Sequence, residues 1–464
     1  MIDFRKIEGI YFVGIGGIGM SAIALYFEKG GFIVGGYDRS ESRNTMSLRD
    51  SGCDITYKDD VDSLPALFRQ PGEKEKILVV FTPAIPAENR ILSFFTIEGY
   101  KIYKRSEILG EISSNTETLA VSGTHGKTTV STMIAHLLKQ SHVDCSAFLG
   151  GISKNYDSNL ILGESRYTVI EADEFDRSFH RLKPSMAVVT SLDADHLDIY
   201  GDLKTMIEAY NVFCGKIKKG GSLVVNSAIR KEIIVPEGIK CYTYGFEPGS
   251  DFHAYSIEHL SDYYRFSIKT PRTTIENLHF PFPGIINIEN LTAAIAIAIL
   301  CGVEEQEIRK AVVLFQGVKR RFDIRINIPG LTYVDDYAHH PEEIKAFIKS
   351  IKEYFGGRKI TGIFQPHLFS RTRDHADGFA AILDELDEAV LLPVYPAREK
   401  PIEGVSSEMI FKRMRSANKR LLKKEDVVRE LDVKKIDVLL TIGAGDIDSL
   451  VVPIEEKIKL EASG

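Results

Sequence analysis

Residues 119–140, LAVSGTHGKTTVSTMIAHLLKQ, decide the fold. Leu119, Ala120 and Val121 form a short apolar run that stops at Ser122-Gly123, the pattern of a buried parallel strand entering a turn. Beyond the turn Val130, Met133, Ile134, Leu137 and Leu138 recur at helical spacing, so the segment reads strand, tight loop, helix. The loop is Gly123-Thr124-His125-Gly126-Lys127-Thr128, followed by Thr129. Its glycines let backbone N–H groups turn inward at a helix N-terminus, where the partial positive charge favours an anion. Lys127 suits the β/γ phosphates of a nucleotide and the Thr128 hydroxyl suits Mg²⁺. Val121 stands where the full nucleotide-loop pattern has its first glycine, so the generic motif is met in part. An ordinary glycine turn before a capped helix needs neither the lysine nor the two hydroxyls after it. The stretch is therefore read as a phosphate cradle.

The chain has 464 residues, which at roughly 150 residues per domain predicts three domains. The formal charge of -7 and the lack of long Lys/Arg blocks argue against nucleic-acid binding, and Lys319-Arg320-Arg321 reads as a local anion contact. The five cysteines are widely spaced and form no C-x-x-C pair, which fits a reducing cytoplasm rather than a disulfide framework or a zinc ribbon. Residues 10–27 are uncharged over a membrane-like length. They contain Gly14, Gly16, Gly17 and Gly19 and follow a mixed-charge segment, so they read as strand, turn and helix, with no membrane insertion.

The first hundred residues look doubly wound. Ile10 to Val13 is a strand, Gly14-Ile15-Gly16-Gly17-Ile18-Gly19 satisfies G-x-G-x-x-G, and a helix runs to about Lys29. A second strand ends at Asp38, about where a dinucleotide fold puts its ribose-binding acid. Alone this pattern says NAD, but the same geometry holds any diphosphate, including that of a UDP-sugar. A further strand, residues 77–81, opens into a loop beginning at Thr82; turn chemistry is the alternative reading of Asp38 and Thr82.

A second domain starts near Ser106. Its strand 167–170 ends in Glu171-Ala172-Asp173-Glu174-Phe175-Asp176, hard oxygens suited to Mg²⁺ beside a triphosphate. The strand 186–192 ends in Asp193-Ala194-Asp195-His196-Leu197-Asp198, where His196 is a cap or a second metal ligand. Residues 241–283 read as short antiparallel strands attached to this domain, and residues 291–300 as a core helix. A third domain begins near Val318. Strands 331–334, 360–364 and 438–442 each deliver polar groups at their carboxyl ends: Asp335 to Pro341, Gln365 to Asp374 and Gly443 to Asp446.

Two phosphate-type loops imply two phosphate-bearing ligands, and the third domain implies a further reactant. A dehydrogenase leaves Lys127, Thr128 and the carboxylates unexplained. ATP spent on activating a carboxylate explains them, with an amine displacing phosphate from the acyl phosphate, which makes an amide-forming ligase.

The motifs G-I-G-G-I-G-M, G-T-H-G-K-T-T, E-A-D-E-x-D, D-A-D-H-L-D-x-Y, G-V-K-R-R-F, D-D-Y-A-H-H-P, F-Q-P-H-x-x-S-R-T-R and G-A-G-D, in that order, resemble the Mur ligase family across nearly the whole chain. The resemblance implies an α/β fold of three domains: a Rossmann-like UDP-sugar domain over residues 1–106, a central ATPase-type domain with an antiparallel extension over 107–317, and a Rossmann-like amino-acid domain over 318–464. It implies ATP and Mg²⁺, with UDP-N-acetylmuramate and L-alanine as substrates. Gly14, Gly16, Gly17, Ile18, Asp38, Thr82 and Arg105 would hold the UDP-sugar. Gly123, Thr124, His125, Gly126, Lys127, Thr128, Thr129, Asn287, Arg320, Arg321 and Asp335 would surround ATP. Thr128, Glu171 and His196 would hold metal, and Tyr337, His339, Arg371 and Arg373 would face the amino acid. Lys127, Glu171, His196, His339 and Arg371 would carry the catalysis. Three positions depart from many relatives: Ile286 replaces a histidine near the adenine, Leu368 replaces an arginine after F-Q-P-H, and Tyr210 stands near the place of a modified lysine found in sister ligases. The rivals are a recycling ligase that adds a tripeptide, an NAD-binding oxidoreductase and a non-catalytic UDP-sugar-binding regulator. Nothing in the sequence sets an oligomeric state.

Overall fold

The computed structural model describes residues 2–69, 71–86, 88–193, 197–260, 262–397 and 399–462. They form three sheets in two compact units. The first unit comprises residues 1–258, 265–280 and 289–316, and the second 259–264, 281–288 and 317–464.

The N-terminal sheet is all parallel, in the order Asp54–Thr56, Ile33–Tyr37, Gly9–Val13, Ile77–Phe81, Lys101–Lys104. Strand order reverses between Gly9–Val13 and Ile77–Phe81, and such a switch opens a crevice at the carboxyl ends of the strands. The run from Ile10 to Val13 is entirely buried, as expected of a strand with helices on both faces. Gly14 has φ +89, and its N–H donates to the Tyr37 carbonyl at 2.8 Å, which turns the chain sharply before helix Ile18–Lys29.

The ten-stranded second sheet has a parallel centre. Ser222–Asn226, Met186–Val189, Glu117–Ser122, Tyr167–Glu171 and Ser146–Ser153 lie side by side, with Ser158–Ile161 antiparallel at the edge. One hydrophobic core joins the two sheets: Ile10, Phe12, Ile23 and Phe27 share it with Ala120, Phe148, Ile170 and Val189. Helix Ile18–Lys29 is stitched to the edge strands by Asn159, whose Nδ2 donates to the Ile18 carbonyl at 2.5 Å, and by the Tyr26 and Phe148 rings, 5.2 Å apart. The two glycine loops are therefore fixed within one packed body.

Two sequence expectations change here. The first strand of the 241–283 region, Lys240–Gly245, pairs parallel with Ser222–Asn226 and again parallel with Phe252–Leu260, so the extension continues the central sheet before it can be antiparallel. The strand expected over 186–192 stops at Val189; Thr190 keeps its N–H bond to the Ser122 carbonyl, while its hydroxyl and that of Ser191 turn to the loop at His125.

The second unit holds a six-stranded sheet. Asp323–Ile328 is antiparallel to Leu331–Asp336, which is followed by Val438–Ile442, Ile360–Phe364, Glu388–Leu391 and Lys419–Leu421, all parallel. Its core is aliphatic, with Ile363, Val390, Leu439, Ile454 and Ile458 buried around Tyr333. No helix among the described residues is long and apolar enough to cross a membrane.

Candidate active site

The phosphate loop is a backbone cradle held from below. Gly123 has φ +136, and a β-carbon there would lie 1.9 Å from Thr190 Oγ1. Gly126 has φ +80 and caps helix Lys127–Lys139, and a β-carbon there would lie 2.8 Å from Asn290 Oδ1. Only glycine fits both places. Thr190 Oγ1 donates to the His125 carbonyl at 2.5 Å, and Ser191 Oγ accepts the His125 N–H at 2.8 Å. Thr124 Oγ1 lies 2.8 Å from Ser191 Oγ and accepts the Asp193 N–H at 3.0 Å. His125 Nε2 is 3.5 Å from Asp193. Thr129 is buried in the first turn of the helix.

The acidic strand end, read as one cluster in the sequence, divides its work. Glu171 Oε1 accepts the Thr128 hydroxyl at 3.0 Å, and its other oxygen accepts the Gly150 N–H at 2.9 Å. A side chain at position 150 would strike this carboxylate, its β-carbon falling 2.3 Å from Oε2. Asp173 pairs with Arg105 at 3.6 Å. Glu174 pairs with Lys127 at 2.8 Å, with its side chain 1% exposed. Burial lowers the Lys127 ammonium, but the carboxylates of Glu174, Asp173 and Glu171 outweigh it and hold the group above its usual value. Burial pushes the Glu174 carboxyl up against the pull of Lys127.

The paired oxygens of Thr128 and Glu171 are a hard donor set beside inward-turned N–H groups, and they fit Mg²⁺. His196 lies outside the described residues. Tyr210 is fully buried, its ring 5.3 Å from that of Phe179, and burial pushes its phenol well up.

In the N-terminal loop Asp38 accepts the Gly16 N–H and the Arg39 N–H, both at 2.7 Å. Both contacts lie within the turn and leave the carboxylate further acceptor sites. Thr82 packs on Gly14, where a β-carbon would lie 2.7 Å from its methyl. Gly17 caps the helix that begins at Ile18. Arg105 crosses this helix at Gly19: a β-carbon there would sit 2.1 Å from Nη1. The guanidinium thus joins the glycine loop to the acidic strand end through Asp173.

The second unit groups its own polar residues at strand carboxyl ends. Arg320 has φ +62 and Phe322 φ +44, strained conformations of the kind that collect at functional sites. Arg320 pairs with Asp335 at 3.3 Å and donates to the Gly443 carbonyl at 2.5 Å. Asp335 is almost fully buried, accepts the Thr441 hydroxyl at 2.6 Å, and is raised by burial. The Arg320 and Arg321 guanidiniums each lie 5.1 Å from the centre of the Tyr337 ring.

His339 Nδ1 lies 3.0 Å from the Tyr337 carbonyl, which leaves Nε2 as an acceptor. Burial lowers His339 to about 4, with Arg371 and Arg321 adding to the effect against Glu343, so it is neutral near pH 7. Arg371 therefore shares the surroundings of His339. Arg373, two residues further along helix Phe369–Asp374, pairs with Asp374 at 2.7 Å and is half exposed, because residues two apart on a helix face different ways. Leu368, the N-cap of that helix, has φ +71, and its N–H donates to the Tyr395 carbonyl at 2.9 Å. Asn287 Nδ2 donates to the Pro283 carbonyl at 2.6 Å, and Ile286 beside it is 43% exposed.

Three family models cover nearly the whole chain: the Mur ligase family catalytic domain over residues 9–116, the Mur ligase middle domain over 121–298, and the Mur ligase glutamate ligase domain over 320–445. The UDP-N-acetylmuramate–L-alanine ligase of Parabacteroides distasonis is 48% identical over 456 residues, covering 98% of each chain. The chain belongs to the Mur ligase family. Its three-domain α/β architecture and ATP dependence are those of the family. This Mur ligase is also 43% identical to the UDP-N-acetylmuramate–L-alanine ligase of Flavobacterium johnsoniae over 98% of this chain and 99% of that one. Among solved structures it matches the UDP-N-acetylmuramate–alanine ligase of Thermotoga maritima with a TM-score of 0.82 at 27% identity, over 98% of this chain and 100% of that one. A murein peptide ligase from Psychrobacter arcticus shares the fold at a TM-score of 0.71 and 21% identity, over 97% and 98%.

Four further residues shape the candidate site. Thr190 and Ser191 read as strand in the sequence, and Gly150 lies in an apolar run with no chemistry of its own. Asn290 had a signal: it follows Asn287 by three residues, the spacing that puts two helix side chains on one face.

Proposed function

We propose that this Mur ligase joins L-alanine to the lactoyl carboxylate of UDP-N-acetylmuramate, consuming ATP and releasing ADP and phosphate, in peptidoglycan precursor synthesis in the cytoplasm. The observation that carries this reading is the 48% identity, over nearly the full chain, with a ligase named for these substrates. We propose the division of labour as residues 1–106 for the UDP-sugar, 107–317 for ATP and 318–464 for the amino acid. In the first region Gly14, Gly16, Gly17, Ile18, Asp38 and Thr82 hold the sugar nucleotide, and Arg105 meets an anionic group of the substrate.

The carboxylate oxygen attacks the γ-phosphorus of ATP held by residues 123–129, and the bond to the ADP oxygen breaks. The Lys127 ammonium neutralises charge developing on the transferring group. Thr128, Glu171 and His196 would hold Mg²⁺, which would supply further charge neutralisation. Asn287, Arg320, Arg321 and Asp335 flank the nucleotide, Asp335 by supporting Arg320. The amine of L-alanine then attacks the acyl carbon and phosphate leaves. Arg371 is suited to the amino-acid carboxylate, Arg373 to drawing it in from solvent, and Tyr337 to lining its site. Neutral His339 accepts a hydrogen bond at Nε2 and orients the amine.

The tripeptide-adding alternative has weaker support, since the relatives 48% and 43% identical over nearly the full chain are both named for L-alanine. ADP release measured across amino acids and the stem tripeptide tests the reading. Turnover is expected only with UDP-N-acetylmuramate, L-alanine and Mg²⁺ together; equal turnover without the sugar nucleotide, or preference for the tripeptide, contradicts it.

A further inference from the structure

Lys127 Nζ has three acceptors: Glu174 Oε1 at 2.8 Å and the carbonyls of Gly123 at 2.7 Å and Thr124 at 3.3 Å. These three satisfy all its N–H groups. The ammonium therefore lies folded against the floor of the loop, and it must exchange a partner before it can touch a phosphate. The partners are unequal. The two carbonyls are neutral, and exchanging one for a phosphate oxygen yields a stronger, charge-assisted bond. The Glu174 carboxylate is 1% exposed and 2.8 Å from the Lys127 ammonium, so withdrawal of the lysine would break a buried ion pair. Glu174 is itself anchored: Tyr200 Oη donates to its backbone carbonyl at 2.6 Å, and its residue is buried at the start of the 3₁₀ turn Phe175–Arg181. The neighbouring acids are engaged elsewhere, Asp173 with Arg105 and Glu171 with Thr128 and Gly150.

We infer that Glu174 is the positioning residue of the phosphate loop, the fixed partner about which Lys127 turns when phosphate oxygens replace the Gly123 and Thr124 carbonyls. Glu174 touches no reactant and acts only through the lysine. The inference rests on the ATP reading above, and it separates Glu174 from Glu171, three residues earlier, whose carboxylate faces the metal-binding hydroxyl.

The test is binding of a non-hydrolysable ATP analogue with Mg²⁺ to the full chain, in a double-mutant cycle of Glu174→Gln and Lys127→Met, with UDP-N-acetylmuramate binding measured in parallel. Glu174→Gln is expected to weaken analogue binding at least about thirtyfold with Lys127 present and less than about threefold in the Lys127→Met background, with sugar-nucleotide binding unchanged. Equal weakening in both backgrounds, or none in either, overturns the inference. Glu174→Asp keeps the charge one methylene short and guards against a misfolded Gln variant. It is expected to fold, to raise the KM for ATP about tenfold, and to change kcat less; a KM equal to that of the parent overturns the inference. Failure of the parent protein itself to bind the analogue would overturn the ATP reading, an outcome distinct from all of these.

Discussion

Lys127→Ala is expected to lower ADP release by about a thousandfold or more while leaving UDP-N-acetylmuramate binding within about twofold of the parent. The lysine supplies a full positive charge at the loop, at 15% side-chain exposure, where screening by water is weak. Its contacts lie with the loop carbonyls and Glu174, whereas the N-terminal glycine loop, which we assign to the sugar nucleotide, is built separately from Gly14 to Gly17 and Asp38. Loss of sugar-nucleotide binding in the variant would contradict the assignment of ligands to domains. The variant also carries a stability signature. Removing the ammonium leaves the Glu174 carboxyl buried without its cation, a loss of about 3–5 kcal/mol when the group is ionised. Burial already raises this carboxyl, and without the pull of Lys127 it rises further. A carboxyl whose folded value lies above its unfolded value contributes stability in its protonated form, present at low pH and lost as pH rises through the folded value. The deficit relative to the parent should therefore be smallest at the acid end of the pH window in which the parent stays folded and grow toward its alkaline end. Denaturant unfolding at both ends of that window checks this, and a deficit independent of pH would contradict it.

Gly123→Ala is expected to be nearly as damaging by another route. At φ +136 an alanine is strained, and its β-carbon would fall 1.9 Å from Thr190 Oγ1. Thr190 cannot retreat easily, since its hydroxyl bonds the His125 carbonyl and its N–H donates to the Ser122 carbonyl at 2.9 Å. The loop must open, which displaces the N–H groups meant for phosphate. We expect a loss of about 2–4 kcal/mol in stability and at least about 100-fold in kcat/KM for ATP. Thermal unfolding and ADP release check both; near-parental turnover would show that the loop geometry is not what binds phosphate.

The parts legible from sequence are those where one residue type has one physical use. The strand, loop and helix around Lys127 follow from the glycines and from the 3.6-residue spacing of Val130, Ile134 and Leu137, and they stand as read. The same holds for the parallel strands that end at Val13, Phe81 and Phe364. What the sequence hides is which polar group answers which. Glu171, Asp173 and Glu174 are neighbours in the chain, yet one faces Thr128, one Arg105 and one Lys127, and only the fold of the 3₁₀ turn that follows separates them. Thr190 and Ser191 look like strand because their work is done by hydroxyls that reach back to a loop 65 residues earlier. Asp38 reads as a ligand group because its spacing matches a dinucleotide fold, and nothing local announces that its carboxylate also accepts the N–H groups of Gly16 and Arg39. Long-range hydrogen bonding of this kind leaves no local period to read.

The acyl-phosphate route is tested most directly by following the carboxylate oxygen. With ¹⁸O in the lactoyl carboxylate of UDP-N-acetylmuramate, attack on the γ-phosphorus followed by amine displacement carries one labelled oxygen into the phosphate released with L-alanine. The account predicts phosphate bearing one ¹⁸O per turnover; unlabelled phosphate accompanying amide formation would contradict it.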